Sequence, residues 1–433
     1  MLYKGTSLTL DEKGVEDHLG RIGMDDIPLP GSFLSPFRLQ QNCTPMLQRL
    51  WLRALADAEI NVVHHNGIEY FGAGAKFGIK VFTRDISYSG VLGLNRTHPE
   101  IMRQSLRFTR QLRLGLGFRM PVFYDLSSLG ITCDLVELEE KVFIERNRTH
   151  SFARRTDDVI WLWAYSDLLG NEPNLEELAW MYETGLQCFQ SLYDPFFDQE
   201  DGLYRGQASF VDVHFPTHKA PGYPPEWDVT DCIGLKATCT NALYQIGLKV
   251  MAKAAARLGR EQDVSLWQTR AEDHRKAMRR GLRMEDGRYA YFKSRAGELE
   301  PRRSALGTAL LVFAGMLTEE EAALQFEGYP VTDRGVPLQD PLRTTDDRVY
   351  YHNAASWPFV DALFLWAKEL ALGENHTSLN AALAARTCRP DGTFHEVVRL
   401  SDGDVRCSAN QLWTAAGFIN ACFRAGWVED STS

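Results

Sequence analysis

The chain has 433 residues, 44% of them hydrophobic and 24% charged, a globular profile long enough for two or three ordinary domains or one large toroid. Its net charge of −10, with no basic run longer than Arg279–Arg280, argues against a nucleic-acid binder, which needs a basic face. No apolar run approaches the roughly 20 residues that cross a bilayer, and the eight scattered cysteines, without a CxxC pair, read as reduced thiols rather than a disulfide frame or zinc site.

The opening "MLYKGTSLTLDEKG" lacks the apolar core of a signal peptide, so a cytoplasmic protein is expected. Residues 1–44 precede the first helical stretch and are expected to pack as an extension on a domain formed by 45–433. Helical periodicity begins with "PMLQRLWLRALADAEINVV" (45–63), which places Met46, Leu47, Leu50, Leu52, Leu55 and Ile60 on a broad apolar face. Next comes "KVFTRDISYSGVLG" (80–93), where Arg84 and Asp85 interrupt an otherwise apolar, small-residue stretch. That pair is either a structural ion pair or a carboxylate kept ionised to grip a ligand's hydroxyls. Pro99 then opens a helix over 98–114.

Further helices are predicted near 134–145, 157–169, 173–194, 236–258, 261–282, 303–315, 318–326, 353–372, 376–387 and 409–425. Stretches 240–257 and 353–368 are apolar nearly all round, which suits an inner layer, whereas 260–280 is amphipathic and suits an outer one. Strand signals are short: "GLYRG" (202–206), "GRYAYFKS" (287–294) and "TFHEVVRL" (393–400). The irregular segment 206–230 is long enough to be functional. No Pro, Gly or Ser linker divides the chain and no fixed repeat marks a solenoid. Paired helices without a divider predict an all-α (α/α)6 toroid with small hairpins in its loops.

In such a toroid the loops at the N-terminal ends of the inner helices line a central funnel, where helix N-termini favour anions. Five stretches put acids and aromatics there. They contain Asp85; Asp157 and Asp158 ahead of Trp161 and Trp163; Asp212 in "DGLYRGQASFVDVHFP"; the loop "RVYYHNAASWPF"; and Glu396 before the last inner helix. Asp157, taken alone, reads more readily as an N-cap or first-turn acid of its helix. Hydrolysis of a glycosidic bond needs two carboxyls facing one cavity, one protonated and one ionised. Asp212 and Glu396 fit that need, and the residues alone also allow Asp85 or Asp157.

Four of these stretches carry a family resemblance. "YHNAASWP" (351–358) is similar to the "YHNGGSWP" loop of neutral/alkaline invertases, and "GTFHEVV…CSANQLWTAAGFI" to the C-terminal stretch of glycogen-debranching α-glucosidases. "VFTRDIS" resembles the "VFVRDF" or "WGRDTF" segment of the same groups, and "ASFVDV…TCTNALYQIGLKVM" their acid-bearing loop and following inner helix. All four occur in the same order, over roughly residues 75 to 425. The resemblance to six-hairpin glycosidases implies Asp212 as general acid, Glu396 as general base and inversion at the anomeric carbon. It implies that Asp85 and Arg84 hold hydroxyls of the −1 sugar, with Asp157, Trp161, Asn353 and Trp357 lining that pocket. Tyr88, His214, Tyr351, His352, Gln411 and Trp413 complete the expected substrate contacts.

Two departures bear on the substrate. Ala354-Ala355 replaces the Gly pair of the invertase loop, and the basic continuation found after the acid in invertases is missing. Sucrose is therefore not the expected substrate. The 433 residues leave no room for the extra domains with which debranching enzymes hold long glucans, and aromatic-rich loops closing one end of the funnel favour a pocket. A small glycoside cleaved from its end is expected. Neither cofactor nor metal is expected: Pro216 breaks any helical pairing of His214 with His218, and His64, His65 and Glu69 stand apart from the site stretches. Three other readings stay open. An unsaturated uronyl hydrolase would use "RRTDDVIW", with Arg154 and Arg155 on a uronate carboxylate. A phosphorylase would dispense with Glu396, and a carbohydrate-binding protein would need neither acid. The expected partner is a small carbohydrate, not nucleic acid or membrane, and the composition is compatible with a homo-oligomer.

Overall fold

In the computed structural model, which describes residues 2–29, 31, 35–65, 67–115, 123–124, 156–211, 222–227, 229–344, 346 and 350–431, helices alternate between two concentric layers. Among the described residues twelve helices build these layers. They are α1 (Pro45–Ile60), α2 (Thr83–Ser89), α3 (Pro99–Gly115), α4 (Asp157–Leu169), α5 (Leu175–Phe196), α6 (Thr238–Arg257), α7 (Glu261–Leu282), α8 (Ala305–Phe313), α9 (Glu319–Phe326), α10 (Pro358–Leu372), α11 (Thr377–Ala385) and α12 (Leu412–Arg424). The even-numbered helices form a closed ring: each packs on the next, and α12 returns to α2. The odd-numbered helices pack outside it, with α7 against α6 and α11 against α12. This is the (α/α)6 toroid.

The inner helices owe their place to composition. In α4, α10 and α12 nearly every residue of the first two turns is buried, so they satisfy their apolar surface only when surrounded. Local signals set the boundaries. Thr44 caps α1, accepting from the Leu47 amide, with Pro45 in the first turn. Thr318 and Glu321 form a reciprocal capping box on α9, and Gly373, at φ +70°, ends α10.

Helix α2 was not expected from periodicity. It begins at Thr83, continues through a wide π turn at Gly90–Leu94 and ends at Thr97. Gly93 lies at φ +147°, and a Cβ there would come 2.7 Å from Ile419 Cγ2, so glycine lets α2 close the ring against α12. The helix expected near 134–145 lies outside the described residues.

Strands are short and peripheral, as their signals implied. Residues 3–22 form a four-stranded antiparallel meander, tied to the barrel where Tyr3 Oη donates to Asp333 Oδ1 at 2.7 Å. Phe37–Leu39 pairs antiparallel with Val428–Asp430. At the mouth of the ring, Ala355–Ser356, Val397–Arg399 and Val405–Arg406 form a three-stranded sheet that carries the Glu396 hairpin. One continuous apolar cluster links the inner and outer layers.

Candidate active site

The first turns of the inner helices meet at one end of the ring. Asp85 lies in the first turn of α2, Asp157 in that of α4, Phe359 in that of α10 and Trp413 in that of α12. An aromatic box forms there. Phe359 stacks on Trp413 at 4.0 Å, and Trp357 meets Trp413 edge-on at 5.6 Å. Phe210 contacts His352, Trp357 and Phe359 at 5.1–5.6 Å. His352 lies parallel to Trp357, and Tyr351 packs against both. Flat rings in this arrangement suit the apolar face of a sugar.

Glu396 faces this box from the sheet. Its carboxylate accepts from Tyr351 Oη at 3.3 Å and from the Ser408 amide at 3.3 Å. It is 2% exposed. Burial raises its pKa to about 7; the negative charge of Asp85 adds to the rise, while the Ser408 amide, the Lys76 ammonium and the Tyr351 hydroxyl oppose it. Asp85 also acts on Tyr351, whose hydroxyl burial pushes well above its usual range. Asp85, Tyr351 and Glu396 therefore share one electrostatic site, although 311 residues separate the two carboxyls in sequence.

Several buried polar groups at this end have no protein partner among the described residues. They are both amide atoms of Gln411, the indole N–H of Trp413, and Nε and Nη1 of Arg84. The remaining Arg84 nitrogen, Nη2, lies 3.4 Å from Asp85 Oδ2. Buried donors normally find acceptors, so this end of the ring holds a set of polar groups whose hydrogen-bonding capacity is unused among the described residues. Gly74 brings a loop close over it: a Cβ there would collide with Gln411 Oε1 and lie 2.5 Å from Ser408 Oγ.

The stretch before Asp212 is tightly held. Gln207 Nε2 and Tyr223 Oη both donate to the Val211 carbonyl, at 2.7 and 3.0 Å, and the Tyr223 hydroxyl accepts from the Ala208 amide. Tyr88 Oη and Ser209 Oγ lie 3.0 Å apart, joining α2 to this stretch. Phe210 sits at φ +58°, a left-handed conformation that a bulky residue adopts only under constraint. Asp212 and His214 themselves lie outside the described residues.

Two expected pocket residues sit elsewhere. Trp161 faces the outer layer, packed against Trp180 of α5 and under the Arg110 guanidinium of α3, and its N–H donates to the Asp158 carbonyl at 3.0 Å. Asn353 supports the loop beneath the wall. Its oxygen accepts from the Arg343 amide at 2.7 Å and its nitrogen donates to the Thr344 carbonyl at 2.6 Å. Asp157 is buried near Tyr88, on whose hydroxyl its charge acts. His395, beside Glu396 in sequence, turns back to the Thr393 carbonyl at 2.9 Å. His64 pairs with Glu69 across an exposed strand pair.

Sequence reasoning missed Phe210, Phe359 and Lys76 as site residues, and Asp57 behind the Glu396 hairpin. Only Asp57 left a signal. Arg53 and Asp57 form an i,i+4 pair on the same apolar face of α1 as Leu50 and Ala54.

Comparison with known proteins agrees with this architecture. Residues 235–414 match the family model described as a mannosylglycerate hydrolase MGH1-like glycoside hydrolase domain. Among solved structures, the chain resembles GH63 mannosylglycerate hydrolase from Thermus thermophilus in complex with glucose: TM-score 0.63 at 14% identity, over 86% of this chain and 99% of that one. An uncharacterized conserved protein from the same organism aligns equally well, with TM-score 0.63 at 15% identity over the same shares. A GH78 family rhamnosidase of Bacillus sp. GL1 aligns over 92% of this chain and 36% of that one, with TM-score 0.61 at 14% identity. No curated protein matches the sequence. The chain has the six-hairpin glycosidase fold, and it is a glycoside hydrolase.

Proposed function

We propose that the enzyme releases a monosaccharide from the end of a small glycoside, with inversion. Asp212 acts as general acid and Glu396 as general base. Water held by Glu396 attacks the anomeric carbon and loses a proton to the carboxylate. The bond to the leaving oxygen breaks as Asp212 protonates it. One water is consumed and the anomeric configuration inverts. Asp85, Arg84 and Gln411 hold sugar hydroxyls, and the Trp413–Trp357 wall takes the apolar face. The observation that carries this reading is Glu396: a buried carboxyl poised near neutrality, facing an aromatic box rimmed by unpartnered donors.

Lys76, exposed and acting on Glu396, favours a leaving group bearing a carboxylate, of the kind named for the mannosylglycerate hydrolase neighbour. The described cysteines are all free thiols and five are buried, which fits a reducing, cytoplasmic setting.

The test is a panel of α- and β-glycosides that includes mannosylglycerate, run beside Asp212→Asn and Glu396→Gln. Loss of most activity in both variants, with polarimetry or NMR showing the inverted anomer as first product, supports the assignment. Retention of activity in Glu396→Gln refutes it. Hydration of unsaturated uronides in place of glycoside cleavage would move the chemistry to Asp157, which is buried at the mouth of the ring.

A further inference from the structure

We infer that Asp57, on outer helix α1, is a positioning residue for the reaction: its carboxylate clamps both ends of the hairpin that carries Glu396. The inference rests on the reading of Glu396 as the catalytic base.

Asp57 is fully buried on the apolar face of α1, where a carboxylate is costly unless every lone pair is used. Its Oδ2 accepts from the Phe394 amide at 2.8 Å, at the start of the hairpin. Its Oδ1 accepts from Asn410 Nδ2 at 2.7 Å, at the end, and from Arg53 Nη2 at 2.5 Å. The Gln411 backbone N–H donates to the Phe394 carbonyl at 2.7 Å and closes the base of the hairpin between these two points.

Asn410 needs such a hold. It sits at φ +48°, a left-handed conformation that asparagine adopts more readily than other residues with a Cβ but that still costs more than the right-handed one. Asn61, just past the end of the same helix, grips its carbonyl at 2.6 Å. The neighbouring chain is then set. The Ala75 amide donates to the Ala409 carbonyl and the Leu412 amide to the Ala73 carbonyl, both at 3.0 Å, and the Lys76 amide donates to Ser408 Oγ at 3.2 Å. One carboxylate behind the site thus fixes Glu396, the Gln411 backbone and the Lys76 backbone relative to one another. Among the described residues, the hydrogen bonds to this carboxylate come from the two ends of the hairpin and from Arg53 alone.

The test compares Asp57→Ala and Asn410→Ala with Leu50→Ala, which opens a cavity on the same helix without removing a hydrogen bond to the hairpin, and with Glu396→Gln. Asp57→Ala is expected to lower kcat roughly 10- to 100-fold with KM changed less than about threefold, as small misplacements of reacting groups do. Asn410→Ala is expected to fall between it and the wild type, and Leu50→Ala to lower Tm while keeping kcat.

A second measurement needs no substrate. The pH-dependent stability difference between the wild type and Glu396→Gln is taken again with Asp57→Ala present in both. Release of the hairpin lets water reach Glu396, so the difference shrinks; an unchanged difference overturns the inference. Should Asp57→Ala fail to fold, Asn410→Ala carries both measurements. Wild-type kcat in Asp57→Ala and Asn410→Ala beside a dead Glu396→Gln overturns the positioning role and leaves the proposed mechanism standing. An active Glu396→Gln overturns the mechanism and the positioning role together.

Discussion

Replacing Glu396 by Gln should abolish activity and yet stabilise the protein, by an amount that depends on pH in a defined way. In the folded state the Glu396 pKa rises from 4.5 to about 7, because burial and the Asp85 charge disfavour its ionised form. Between those values the folded chain binds a proton that the unfolded chain has lost, so stability falls as pH rises through the window. Below pH 4.5 both states are protonated and nothing is lost. Above pH 7 the full difference applies, about 3 kcal/mol from the size of the shift. Gln fills the same space without titrating. Its oxygen accepts from the Ser408 amide, and its nitrogen donates to a Tyr351 hydroxyl rotated to accept. For a chain of this length about 3 kcal/mol corresponds to roughly 3–4 °C in Tm. Calorimetry of wild type and Glu396→Gln from about pH 4.5 to 8.5 should give coincident Tm values at the acid end and a gap that opens towards pH 8. Asp57 and Asp361, each raised to about 6 by burial, titrate in both proteins and cancel. Parallel curves across the range would refute the reasoning, because they would mean that Glu396 pays no ionisation cost where it sits.

If Glu396 is the base, kcat/KM should rise with pH through an acid limb near 7; a fall through the same pH would make Glu396 the acid instead. Asp85→Asn should move that limb to lower pH and Lys76→Met to higher pH, since Asp85 raises and Lys76 lowers the Glu396 pKa; a shift of both in one direction would break the electrostatic argument. Gln411→Ala and Trp413→Phe should each reduce kcat/KM roughly tenfold, about 1.4 kcal/mol for a lost hydrogen bond to substrate, with urea midpoints near wild type for Trp413→Phe. Gly93→Ala should destabilise by about 1–3 kcal/mol in urea titration, because its Cβ would press on Ile419 while the backbone holds a positive φ.

The layered architecture was legible because inner and outer helices bury different fractions of their circumference. Thr238–Arg257 and Pro358–Leu372 are apolar around most of their surface, Glu261–Leu282 on one stripe, and each took the layer its pattern implied. Helix α2 was not legible. Thr83, Arg84, Asp85 and the Ser87–Tyr88–Ser89 run are all buried, so a polar stretch lies where an apolar period would mark a helix. Its hydroxyls return to the helix itself: Ser87 Oγ donates to the Thr83 carbonyl and Ser89 Oγ to the Asp85 carbonyl. Glu396 and Asp85 were named from motif and order, and their electrostatic coupling appears only once the ring closes. Trp161 faces the outer layer, a placement the sequence does not reveal because an aromatic on an inner helix can face the funnel or the outer layer, and periodicity over one turn does not separate the two. Phe210 and Lys76 gave no signal, since their roles come from a backbone twist and from a loop passing over the mouth.

The stretch that precedes Asp212 and the hairpin that carries Glu396 are held by independent devices. The stretch leading to Asp212 is fixed within its own loop by Gln207 and Tyr223 on the Val211 carbonyl, and to the inner ring by Tyr88 on Ser209. The Glu396 hairpin is fixed from outside it, by Asp57 on α1 and by Asn61 at its end. Both holds use groups with little freedom to move: a wholly buried Asp57 carboxylate and a Tyr223 hydroxyl whose pKa burial pushes far above its usual range. An inverting reaction needs two carboxyls roughly 6.5–9.5 Å apart with a water between, a gap that side-chain rotamers alone would not keep. In the proposed mechanism, separate anchors for the stretch ending at Val211 and for the Glu396 hairpin would let each carboxyl be held without relying on the other.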